Sequence, residues 1–513
     1  MFRKDILNVS LLLVILCLGG ERLALSQTDA EAKLNFARIE TSIAEGKLAE
    51  VEKSLMDYAI SHPKDVRALE LLAQLRYQQR RIDEAQALYQ RVLALDASFV
   101  KAKINLAKLK FELGENEAAR LMLAETATGF KLNVNERLAL TKALILVGDF
   151  QRALLVSDSL PIAVKNGSGL PLRAAVYLGL RQQEKVNELA PLIRRASISE
   201  PGVAAESAEV FEKADMPREA VAILRFTLAR APGNYRLLVL LGRIEIKLGE
   251  LAEARRHLNS ALKLKSPTFE SSFALGLLEA AEQSYAKAVL NLEQAHSLAP
   301  DSVSVLQELT VNAMRANQPL VAVNAAEELL RLKPDDPESL YLLGASSLQK
   351  GSLASARSVL ERYRQKRPDD PRGCLALGIT LATQPGQSTP AKSEFEQCLK
   401  LDPANVEAKY QLGLIFKSEG ETERAVQLLE EVIARTPEHA SALRDVGALY
   451  LQTGADVKAR NVLEKAATLN PADAETHFLL SRLYSRVGDS ALAKQHLDQF
   501  QKIKSQREKP TSQ

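Results

Sequence analysis

An alanine recurs along this chain about every 34 residues. It falls at Ala85, Ala119, Ala153, Ala220, Ala254, Ala288, Ala322, Ala356, Ala391, Ala425, Ala459 and Ala493, and all but two of the steps are 34. One step is 35. The step from Ala153 to Ala220 is 67, two periods less one, so an irregular unit lies between them. Prolines keep the same beat at Pro232, Pro267, Pro300, Pro334, Pro368, Pro403, Pro437 and Pro471. Two markers in phase over the C-terminal half specify an array of one repeated unit. They override the several-domain expectation that 513 residues would otherwise raise.

The unit Asn405–Thr436 shows what is repeated. Ala408, Leu412, Ile415 and Phe416 recur at helical spacing and form one apolar face. Gly420 follows, where a helix end needs a left-handed residue. Ala425, Leu428, Leu429, Val432 and Ile433 form a second apolar face, and Pro437 stops that helix because it has no N–H to donate. Gly413 and Ala425 are the small residues that let the two helices approach. The spacing predicts an antiparallel hairpin of two helices of about 14 residues. One such hairpin cannot bury its own faces, whereas a stack of them can. Asp336-Pro337 and Asp370-Pro371 fit an N-cap followed by a first-turn proline.

Val446, Gly447, Tyr450, Gly454, Ala459, Leu463, Ala466 and Pro471 resemble the signature of the tetratricopeptide repeat family. The family usually has Leu where this unit has Val446, and other units supply it at Leu241, Leu343 and Leu412. The family's first-helix Trp is missing, its place taken by Leu340, Cys374, Lys409 and Leu443 in four successive units. The resemblance runs from about Ala32 to Phe500. It implies an all-α fold, a right-handed superhelical solenoid of about 14 hairpins. The first unit, near Gly46 to Pro63, and the fifth, near Gly167 to Ser199, match least. In the fifth, "KNGSGLPLR" brings two Gly and a Pro, and Pro191 falls inside the expected second helix, which it should kink or shorten. Two readings stand: a break over 166–200 between sub-arrays 27–165 and 201–503, or an eroded repeat. Residues 504–513 read as a polar, disordered tail.

The N-terminus departs from the pattern. Arg3 and Lys4 precede an apolar stretch, Ile6–Gly20, and "ALS" at Ala24–Ser26 places small residues where a signal peptidase reads them. The expectation is a secretory signal over 1–26 and a mature chain from Gln27. The stretch is short for a bilayer span, which takes about 20 residues. Membrane association would arise only from an uncleaved stretch or a lipid on Cys17, and bulky Leu16 argues against the lipid. Beyond this segment only Cys374 and Cys398 remain, on the two helices of one hairpin. A bridge between them is feasible in an oxidising compartment; two buried thiols are the favoured alternative.

No convergent chemistry is legible. The net charge is +3, with 67 basic and 64 acidic side chains interleaved along the chain, so there is no basic stripe for nucleic acid. His62, His257, His296, His439, His477 and His496 form no pair at metal-ligand spacing, and neither a phosphate loop nor a nucleophile elbow occurs. No catalytic, cofactor or metal site is expected, and the chain is read as non-enzymatic. What remains is binding. By the family resemblance the first helices line the concave surface. There the candidate groove residues are Phe273, Leu277, Val311, Tyr341, Leu375, Ile379, Tyr410 and Leu414, most of them in pairs four residues apart on one helix face. The expected partners are proteins or peptide segments with apolar anchors. The Lys and Asn set that one branch of the family uses to clamp C-terminal carboxylates is not repeated here. The expected role is an exported scaffold of a bacterial periplasm or cell envelope. The alternative is a membrane-associated adaptor of a secretion or polysaccharide-export system.

Overall fold

A computed structural model of the chain describes residues 35–44 and 46–508. The signal expected over 1–26, its cleavage before Gln27, Cys17 and the last five residues of the expected tail lie outside the described residues.

Every regular element among the described residues is helical. Two helices and a tight turn make each repeat, as in Val406–Glu419, Gly420 and Thr422–Arg435. The turn residue is left-handed in all 14 repeats of the described residues: Gly46, Arg80, Gly114, Gly148, Arg181, Asp215, Gly249, Gln283, Asn317, Gly351, Gly386, Gly420, Gly454 and Gly488. Successive turn residues lie 34 apart, except for 33 between Gly148 and Arg181 and 35 between Gly351 and Gly386. The backbone therefore accounts for both irregular steps of the alanine series. A residue with a Cβ costs on the order of 1 kcal/mol more than Gly in this conformation, yet five repeats tolerate one. The following N–H closes the first helix by bonding five residues back, as Glu421 N to Phe416 O (2.9 Å) and Arg81 N to Arg76 O (2.9 Å).

First helices start on side-chain caps where the sequence offers them. Asp65, Asn133, Asn234, Asp336, Asp370, Asn405 and Asp473 each accept from a backbone N–H of the first turn. Second helices bury the same slots in turn: Ala254, Leu258 and Ala261; Ala425, Leu429 and Val432; Ala459, Leu463 and Ala466. A fully buried Leu in such a slot stabilises by about 1.5–3 kcal/mol. The small residue opposite makes room. A Cβ on Gly447 would stand 2.6 Å from Leu463, and one on Gly344 would stand 2.6 Å from Leu360. Cys374 and Cys398 occupy core slots of repeat 11. Both are free and buried, and both thiols are directed at the Pro371 carbonyl, at 3.3 and 3.4 Å.

The fifth repeat is folded. A short helix, Ile162–Lys165, precedes Leu170–Gly179 and Gln183–Ser199, which pack on each other. Pro191 sits within the second of these, which is not shortened but runs 17 residues, longer than its counterparts in neighbouring repeats. Gly179 is required by contact, since a Cβ there would lie 2.2 Å from the ring of Phe150 in repeat 4. The last helix, Ser490–Glu508, continues through the first residues of the expected tail.

The chain divides into two compact units, Met1–Lys265 and Ser266–Gln513, with seven repeats in each among the described residues. The irregular fifth repeat lies inside the first unit. Within each unit a second helix packs against its own first helix and against the first helix of the next repeat. None of the described helices is long and apolar enough to cross a membrane.

Candidate functional site

All eight groove candidates lie on first helices of repeats 8–12, within the second unit, and all are half-buried. Counting back from the left-handed turn residue gives their register. Six residues before it (seven in repeat 11) stand Leu277, Val311, Ile379 and Leu414. Four residues earlier on the same face stand Phe273, Tyr341, Leu375 and Tyr410. Core packing accounts for part of their cover. Phe273, Val311 and Tyr341 lean on the core of repeats 8–10; Leu375, Ile379 and Tyr410 lean on that of repeats 10–14.

The aromatic members also touch neighbours. Phe273 stacks on Phe269, with ring centres 6.0 Å apart. Tyr341 lies 5.5 Å from the ring of Tyr363, and the Arg372 guanidinium of the next repeat covers its face at 4.6 Å. Arg372 in turn pairs with both oxygens of Glu338, at 3.3 and 3.1 Å. Asp370 accepts from the Tyr363 hydroxyl (2.5 Å) and from Arg372 (2.9 Å). Burial alone would raise the Asp370 carboxyl, but these donors outweigh it and hold the group down at about 2. The Tyr410 hydroxyl donates to Asp445 of repeat 13 at 3.0 Å. Asp445 is buried and also receives Lys417 (2.7 Å) and Arg444 (3.1 Å). Burial and the Asp445 charge push the Tyr410 hydroxyl up to about 12. Tyr341 and Tyr410 are thus fixed in place by the following repeat, and Phe273 by stacking within its own helix.

The same register in the first unit reads differently. Six residues before the turn stand Glu40, Gln74, Lys108, Lys142, Ala175, Glu209 and Arg243. In the second unit the series is Leu277, Val311, Ala345, Ile379, Leu414, Ala448 and Arg482. Apart from Ala175 in the first unit and Arg482 in the second, one unit presents polar and charged side chains where the other presents aliphatic ones. The first unit also contains a cavity of about 1120 Å³ at repeats 2–4, lined in part by Tyr77, Phe99, Ile104, Asn105 and Lys108. Sequence reasoning missed it because the register was applied only to the half with regular prolines. The signal was present in the spacing of Gln74, Lys108 and Lys142, at steps of 34.

Three donors lie close enough to share a cation: Glu245, Glu253 and His257. The imidazole Nδ1 of His257 already meets Glu245 at 2.7 Å, and Arg225 pairs with the same carboxylate at 2.8 Å. A guanidinium thus neutralises the buried charge, and the arrangement is an ion-pair network.

Tetratricopeptide repeat profiles match residues 241–303, 311–371 and 410–474, and a second profile of the same description matches 76–128 and 213–266. No curated protein matches the chain. Solved structures similar to it include the anaphase-promoting complex hetero-tetramer Cut9–Hcn1, at 13% identity over 88% of this chain and 96% of that one, with a TM-score of 0.41. A MamA RS-1 double mutant shares 24% identity over 34% and 96%, with a TM-score of 0.31. YrrB, described as a TPR protein with an unusual peptide-binding site, shares 19% over 36% and 95%, with a TM-score of 0.29. With 14 left-handed turns at the period of the profile and profile matches in both units, the chain belongs to the tetratricopeptide repeat family, a class of protein-interaction scaffold.

Proposed function

We propose that the second unit binds partner protein segments through a concave groove lined by Phe273, Leu277, Val311, Tyr341, Leu375, Ile379, Tyr410 and Leu414, and that the chain acts without catalysis, as an exported scaffold in a bacterial cell envelope. The observation that carries the binding reading is the aliphatic series before the turn, Leu277 to Ala448, on helices where Tyr410 is held by a hydrogen bond to Asp445 and Tyr341 by the Arg372 guanidinium over its ring. A pre-set apolar stripe with a charged border is an interaction surface. Covering the remaining half of each such side chain gives about 1 kcal/mol, so several anchors suffice for micromolar affinity, about −8 kcal/mol. The occupant that suits this stripe is a helix or extended segment with apolar side chains at regular spacing. Export rests on the basic, apolar and small-residue order of Arg3 to Ser26.

The test is capture from an envelope extract with the chain from Gln27 onward, beside a variant carrying Phe273, Tyr341 and Tyr410 as Ser. Proteins retained by the first and lost by the second support the groove. Identical sets on both baits contradict it. Mass analysis of the protein purified from an envelope fraction tests export: a chain starting at Gln27 is expected, and an intact Met1 removes the cleavage claim.

A further inference from the structure

The last helix, Ser490–Glu508, packs on the first helix of its own repeat, Ala474–Arg486. Its apolar hold is thin. Leu497, in the slot where Leu429 and Leu463 are fully buried, is 37% exposed, and Ala493 is the buried aliphatic of the helix. Two histidines stand where other repeats carry aliphatic side chains. Eleven residues before the turn and eight after it, repeats 9, 10 and 13 carry Leu306 with Ala325, Leu340 with Val359 and Leu443 with Val462; repeat 14 carries His477 with His496. Their partners place their protons. His477 Nε2 lies 3.1 Å from the Pro471 carbonyl oxygen, which only accepts, so this nitrogen carries the hydrogen. The neutral ring is then bare at Nδ1. That atom faces His496 Nδ1 at 3.0 Å, so His496 is the donor there. The ring planes lie within 27° of each other and the centres are 5.3 Å apart, the N–N distance plus two ring radii, so the rings meet head-on.

A first added proton goes to His496 Nε2 and leaves the bond intact. A second finds only His477 Nδ1, the acceptor itself, and would set two N–H groups and two positive charges against each other. The charges around the pair are already engaged. Glu464 of the preceding helix accepts from the Tyr484 hydroxyl, whose ring lies parallel to His496 at 5.7 Å. Asp473 caps the first helix and pairs with Arg444 at 3.5 Å, and Asp489 accepts from the Leu492 N–H. Arg460 lies over Tyr484 and Arg482 over Phe478. Lys494 and Asp498 of the last helix are exposed. Burial, then the neighbouring His477, hold the His496 imidazolium below its ordinary value of 6.5, and Glu464 only partly opposes them. The neutral pair is the folded form, so its stabilisation is present above about pH 6.5 and is lost as the pH falls. A metal does not fit this arrangement. No third His, Cys or carboxylate donor among the described residues gathers with the pair, and 3.0 Å between opposed nitrogens leaves no room on their line for a cation that takes about 2.0–2.1 Å from each.

We propose that His477 and His496 form an acid-sensitive latch, which holds the last helix on repeat 14 and releases it when both rings are charged. Release parts the Phe500 ring from Phe478, now 5.3 Å away, and opens the end of the second unit. The latch does not depend on what the groove binds.

Backbone hydrogen exchange of the full chain, read by mass spectrometry at about pH 7 and about pH 5 and corrected for the intrinsic effect of pH, tests this. Protection over Ser490–Glu508 should fall at least about tenfold between the two. Protection over Asp456–Leu469, the second helix of repeat 13, should hold. The double variant His477→Leu, His496→Val carries the residues of repeat 13 at these positions and should keep the helix while losing the acid response. Nitrogen-15 spectra of histidine-labelled protein in neutral buffer should show His477 protonated at Nε2 and His496 at Nδ1. Equal protection of the last helix at both pH values, an equal loss over Asp456–Leu469, the same acid response in the double variant, or the opposite tautomers would each overturn the proposal.

Discussion

Six residues before its turn, repeat 3 carries Lys108; at the same place repeat 12 carries Leu414. The backbone around the two is alike: a first helix, a left-handed turn residue and a second helix with a small residue at the close approach. The difference is confined to side chains that the hairpin does not need for its own packing. A repeat array separates these two demands. Positions that touch the partner helix are held to small or aliphatic residues, while the solvent side of the first helix is free to take whatever a ligand requires. The first unit has used that freedom for charge and the second for apolar surface.

If the units share an architecture and differ in chemistry, equal damage to the architecture should cost both alike. Gly447→Leu in the second unit forces a side chain into Leu463, and Ala107→Leu does the same at the equivalent slot of the first. Each should lose about 2–3 kcal/mol in chemical denaturation. A loss in only one unit would mean that the register linking the two is wrong.

Exchanging the chemistry should give smaller effects of opposite sign. Lys108→Met removes a half-buried ammonium without a partner and should stabilise the first unit by about 1 kcal/mol. Leu414→Lys should destabilise the second by about 1 kcal/mol, through lost apolar cover. Denaturant midpoints of both variants check this, and two changes of the same sign would break the contrast.

Acid should reveal the smallest difference. Asp370 is held below its ordinary value of 3.8, at about 2, by Arg372 and Tyr363. A depressed carboxyl contributes stability above about pH 4, and that contribution drains away as the pH falls towards 2. Arg372→Leu should therefore flatten the loss of stability of the second unit between pH 4 and 2 in thermal melts. An unchanged slope would remove Arg372 as the source of the shift.

Most of the fold was legible because the alanine and the closing prolines mark contacts that every repeat must make. Gly420 as a left-handed turn, and Asp336 and Asp370 as caps, could be read from single residues because few side chains satisfy those backbone demands. Left-handed Arg80, Arg181, Asp215, Gln283 and Asn317 could not, since nothing in their chemistry marks them; only the period places them. Pro191 misled for a related reason. Its rule concerns an isolated helix, and here packing on repeats 5 and 6 keeps the helix continuous. The face carrying the groove candidates was legible from spacing. How far neighbours cover them was not, because Arg372 over Tyr341 and Asp445 on Tyr410 come from the next repeat, 31 and 35 residues away. The cavity around Lys108 stayed hidden because unpaired charge shows only once every possible partner has been placed.

Partners of the second unit are expected to sit on its apolar first-helix face. A photo-crosslinking side chain placed at Ile379, on that face, and separately at Val457, which is 75% exposed on a second helix, tests it in the full chain against an envelope extract. Discrete adducts from position 379 that persist in high salt, and none of them from position 457, are expected. The same adducts from both positions, or adducts from position 457 alone, would contradict it.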